Sequence, residues 1–109
     1  MISRELAAHV LGYPVTSVTQ DPQFESYVII NKNFTINIHE LAHKSKEWVR
    51  SKGLEMFVYE LDDTTKKYEA RVLRKGERDS GEYIFSWWNL DTEPGAIFAA
   101  CEWVRKEMK

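Results

Sequence analysis

Cysteine is nearly missing from this chain. A single Cys101 in 109 residues excludes an internal disulfide and fits a reducing compartment. No apolar run approaches the roughly 20 residues of a membrane span. The opening residues lack the basic-then-apolar pattern of a secretory leader. A soluble, cytoplasmic protein is therefore expected. An excess of positive charge is missing too: Lys and Arg total 15 against 17 for Asp and Glu. No broad positive field draws the chain to nucleic acid or to an anionic membrane. Internal repeats and low-complexity tracts are likewise absent.

What is present is packing material. Hydrophobic residues make up 43% and aromatics 13%, with four Trp, and this length supports one core, so residues 1–109 read as a single domain.

Ser3 to Leu11 predicts a short helix: Ser3 is a natural cap, Leu6, Ala7, Val10 and Leu11 share a face, and Gly12 stops it. Tyr13 to Glu25, with two prolines and polar residues, reads as an irregular surface connection, and Tyr27 to Asn31 as a short strand. Asn37 to Lys52 is the second helix. Asn37 and Glu40 have capping-box spacing, Ile36 can staple onto Leu41, and Gly53 suits the left-handed position after the end. Ile38, Leu41, Ala42, Ser45, Trp48 and Val49 form its apolar face. Leu54 to Leu61, Lys67 to Leu73 and Tyr83 to Trp88 follow as a meander of strands, joined by a turn at Asp62 to Lys66 and a charged loop from Arg74 to Gly81. Thr92 or Asp91 then caps a helix whose apolar face is Ile97, Ala100, Cys101, Val104 and Met108, with Trp103 beside it. The expected class is α+β: a small antiparallel sheet, three-stranded with a possible fourth short strand, packed by helices. Its core order is helix-strand-strand-strand-helix behind an extra N-terminal helix.

Three constellations carry chemistry. His39-Glu40-Leu41-Ala42-His43 matches HExxH, in which imidazoles one helical turn apart ligate zinc and the Glu polarises the bound water. This makes a zinc-dependent hydrolase, with Glu40 as base and His39 and His43 as ligands, the alternative to a binding protein. Against it, the Asn37 cap sets His39 in the first turn, both imidazoles fall off the apolar face, and no carboxylate on a following helix offers a third ligand. Second, the order from Asn37 onward is similar to the double-stranded RNA-binding domain, a further alternative. The last helix, however, opens on Asp91, Thr92, Glu93 and Pro94 and has no lysine before Lys106, which opposes phosphate binding. Third, Tyr59, Tyr68, Arg71, Trp87 and Trp88, with Asp91 nearby, could form an aromatic and cationic surface for a partner protein or a nucleotide. Adjacent tryptophans on one strand face opposite sides, so one of Trp87 and Trp88 is a candidate anchor for a partner or for homo-oligomerisation.

The Leu-Gly-Tyr end of the first helix, the phrase Phe34-Thr-Ile-Asn-Ile-His opening the second, the central meander and the closing Glu93-Pro-Gly-Ala-Ile-Phe-Ala-Ala-Cys together resemble the small phage proteins of the phage ABA sandwich domain. The similarity runs over nearly the whole chain and rests on caps and core positions. It implies a phage or prophage origin, life in the bacterial host cytoplasm, and no catalytic residue or cofactor. The expectation is a small phage accessory protein that acts by binding in counter-defence, inhibiting a partner protein or sequestering a nucleotide-derived signal.

Overall fold

A computed structural model describes residues 2–60, 68–74, 85–90 and 92–107, the stretch 85–90 by its backbone alone. The chain order is α1 (Arg4–Leu11), β1 (Val18–Gln20), β2 (Tyr27–Ile30), β3 (Phe34–Asn37), α2 (Ile38–Ser51), β4 (Leu54–Glu60), β5 (Tyr68–Arg74), β6 (Phe85–Leu90) and α3 (Glu93–Glu107). The α+β class is as expected. The expected turn at 62–66, most of the 74–81 loop, and residues 83, 84, 91 and 108 lie outside the described residues.

The helix boundaries follow from local chemistry. Ser3 Oγ accepts the amide of Leu6 at 3.1 Å, and Gly12, at φ +79°, closes α1 by donating to Ala8 O. That left-handed angle is strained for any residue with a Cβ. Asn37 caps α2, though Oδ1 accepts from His39 N at 2.8 Å and not from Glu40 N, as the capping-box spacing had predicted. Gly53, again at φ +79°, ends it as expected. Thr92 caps α3, with Oγ1 accepting from Gly95 N at 3.0 Å. A Cβ at Gly95 would stand 2.8 Å from that hydroxyl oxygen, so the cap depends on the glycine.

Two antiparallel sheets form, β1-β2-β3 and β4-β5-β6, each in chain order. The second is the expected meander. The first corrects the reading of its region twice. Val18–Gln20 lies in the stretch read as irregular, yet it pairs with β2, Val18 opposite Ile30. Phe34–Asn37, read as the lead into α2, is a strand paired with β2, Ile36 opposite Val28. The connection between β2 and β3 explains the second miss. Asn31 and Lys32 sit at φ +54° and +66°, the left-handed pair of a primed hairpin turn, without the Asn-Gly that usually signals one. Asn31 also secures the preceding segment: Oδ1 accepts from Thr16 N at 2.7 Å and Nδ2 donates to Pro14 O at 3.0 Å.

One core joins both sheets and all three helices. Val28, Ile30 and Ile36 of the first sheet cluster with Leu54, Met56, Ala70 and Val72 of the second, with Leu6 and Ala7 of α1, and with Leu41, Ala42 and Val49 of α2. α3 lies at its centre, in contact with α1, α2 and β4 to β6. Its predicted face, Ile97, Ala100, Cys101 and Val104, is buried, but so are Ala96 and Phe98. A helix covered on both flanks needs more than one apolar stripe. Ser45 and Cys101 mark where α2 and α3 approach: Ser45 Oγ turns back to Leu41 O at 2.8 Å, and the Cys101 thiol donates to Ser45 O at 3.5 Å.

Candidate functional site

Strand parity builds the outer face of the second sheet. Met56 opposes Val72 and Val58 opposes Ala70 on the side toward the helices, so Phe57 opposite Arg71 and Tyr59 opposite Glu69 take the other side. The diagonal from Tyr59 to Arg71 is within reach of long side chains. The Arg71 guanidinium stands 5.2 Å from the Tyr59 ring centroid, and the Phe57 and Tyr59 rings stack at 6.4 Å with planes 26° apart. Arg71 Nε also donates to Glu69 Oε1. The Glu69 side chain is only 13% exposed and that of Arg71 39%, so a largely buried carboxylate braces Arg71 at Nε. Tyr59 is 45% exposed. This is an aromatic and guanidinium unit of the kind that anchors interfaces.

The other residues predicted for this surface do not all join it. Tyr68 opposes Glu60, on the parity of Ala70 and Val72, and packs against the core. It is therefore on the opposite face from Tyr59 and Arg71. Trp87 is paired with Ala70 in the register, while the side chains of Trp87 and Trp88, and Asp91 entirely, lie outside the described residues.

His39, Glu40 and His43 are exposed on α2. His43 Nε2 meets Glu47 Oε1 at 3.1 Å one turn along. His39 and His43 line a small cavity of about 150 Å³ with Lys46, Glu93 and Ile97. Among the described residues no three His, Cys, Asp or Glu side chains come close enough together to hold a metal ion. The third histidine, His9, is elsewhere, its ring 5.9 Å from that of Trp48.

For duplex RNA, α3 opens on Thr92, Glu93 and Pro94, an arrangement that repels phosphate. Of the basic residues at α2, Lys46 borders the His39 cavity, and Lys52, just past the helix end, sits over the Trp48 ring at 5.6 Å. The further basic residues the sequence holds around the meander, Lys66, Lys67, Lys75 and Arg78, lie outside the described residues.

One feature was missed in the sequence. Phe24, 59% exposed, and Tyr27, 39% exposed, stand together in an edge-on pair with centroids 6.1 Å apart. The Asp21-Pro22-Gln23-Phe24 order signals it, since Asp followed by Pro favours a side-chain-capped turn. The chain matches no family model, no curated protein and no solved structure.

Proposed function

We propose that this is a small phage accessory protein that acts by binding a partner protein, in the manner of a counter-defence inhibitor. The observation that carries the reading is Arg71, stacked on Tyr59 and braced by Glu69 on the outward side of the second sheet. A guanidinium and a tyrosine already held in position lose little side-chain entropy on association, which is what an interface anchor requires. A partner would pack on the exposed Tyr59 ring, with the guanidinium stacked beside it lending its positive charge to the contact.

Sequestration of a nucleotide-derived signal is the second reading, favoured by the same ring and guanidinium, a pair suited to a stacked base and its phosphate. Tagged protein expressed in phage-infected bacteria separates the two. Under the inhibitor reading, mass spectrometry finds one host protein in near-stoichiometric amount, lost with Arg71→Ala and with Tyr59→Ala. Under sequestration, denaturing the purified protein releases an ultraviolet-absorbing small molecule that those variants lack. Neither outcome with a folded wild-type protein would overturn the proposal.

A further inference from the structure

The loop between β1 and β2 is built to display an aromatic pair. Asp21 Oδ1 accepts the amides of Gln23 at 2.8 Å and Phe24 at 3.3 Å. Tyr27 N donates to Phe24 O at 3.1 Å, and Asp21 N to Tyr27 O at 3.0 Å. Phe24 is thus held outward by its own backbone. Asp21, Phe24, Tyr27 and Thr35 line a cleft of about 330 Å³. Among the described residues nothing bonds the second carboxylate oxygen, Asp21 Oδ2.

We infer that this cleft takes a lysine side chain from an apolar segment of a partner protein, at a site separate from Tyr59 and Arg71. Ring faces attract an ammonium group and grip its methylene stem, and Oδ2 supplies the counter-charge. The lining has the matching sign: Asp21 is its charged residue, and Glu25 adjoins Phe24 in the chain. At this volume, near the lower limit for a ligand pocket, the cleft suits one long side chain and part of a neighbour better than a nucleotide. Ile29, cross-strand from Thr35, extends apolar surface beyond the cleft for the residues flanking the lysine.

The test is amide chemical-shift titration by NMR of the whole protein with n-butylammonium and with the peptides Ac-Leu-Lys-Leu-NH2 and Ac-Leu-Glu-Leu-NH2. The expected result is saturable shifts at residues 21–35, with the lysine peptide binding at least about fivefold tighter than n-butylammonium and than the glutamate peptide. Asp21→Asn retains the oxygen that accepts the two amides and loses only the charge, and it should weaken the lysine peptide by about fivefold or more. Phe24→Ala should do the same, while Tyr59→Ala and Arg71→Ala leave binding unchanged, which separates this site from the surface proposed above. No saturation by the lysine peptide, equal affinity for the two peptides, or indifference to Asp21→Asn would each overturn the assignment. Shifts at residues 21–35 that follow protein concentration without any probe would give the cleft to a second copy and overturn it too. A peptide no tighter than n-butylammonium would assign the cleft to a free amine instead.

Discussion

The hydroxyl of Ser3 donates to Glu102 Oε2 at 2.6 Å across 99 residues of chain while its oxygen accepts the amide of Leu6. One side chain therefore caps α1 and fastens it to α3, and Glu102 in turn holds Arg105. Ser3→Ala removes the cap and leaves Glu102 one partner short. A loss of about 1–2 kcal/mol is expected, measured as a lower urea midpoint with an unchanged slope. Ser3→Asp, which restores the cap but sets a carboxylate against Glu102, should not recover it.

Among the described residues Lys32 is the one least suited to its backbone, at φ +66°. Lys32→Gly gives the Asn-Gly pair that primed turns favour, and should stabilise the protein by about 0.5–1 kcal/mol, visible as a rise in thermal midpoint. Asn31→Ala should act in the opposite direction, since it loses both the tolerance for a left-handed angle and the bonds to Thr16 and Pro14.

Burial of Cys101, reinforced by Glu102 and opposed by Lys46, pushes the thiol pKa up. The folded state then keeps a proton that the unfolded chain releases. The thiol's contribution is intact below its ordinary pKa of about 8.5 and is progressively lost as pH rises above it, by up to about 1.4 kcal/mol per pH unit. Comparing urea midpoints of wild type and Cys101→Ala from neutral to alkaline pH checks this: the two curves should run parallel below the ordinary thiol pKa and converge above it.

Zinc analysis addresses the HExxH alternative. With His39 and His43 exposed and no third donor among the described residues, protein dialysed against zinc should retain less than about 0.1 equivalent, and His43→Ala should change nothing. Stoichiometric zinc, lost in that variant, would replace the binding reading with a hydrolase.

The helices were legible because their signals are local. Ser3, Gly12, Asn37, Gly53 and Thr92 each act within a turn of their own position, and each was found where the sequence put it. Of the first sheet only the middle strand was, Tyr27–Ile30 lying within the expected Tyr27 to Asn31. Val18–Gln20 has only three residues and owes its conformation to Val28 and Ile30 opposite, while Phe34–Asn37 was concealed by the strong cap that follows it. For the site, composition identified Tyr59, Tyr68 and Arg71 as useful side chains. Only register could divide them, because a step of one residue along a strand changes the face. Phe24 went unnoticed because an aromatic flanked by polar residues looks unremarkable until the turn that lifts it outward is known.

The central position of α3 governs how the chain can be made. Residues 93–107 leave the ribosome after α1, α2 and β4 to β6, the elements they pack against. Until then α2 packs on β4 and α1, but the sides of α2 and of the second sheet that face α3 stay uncovered. Synthesis therefore passes through a span in which the second sheet and α2 are made but the helix that covers them is not, and that apolar side is open to wrong partners until α3 emerges.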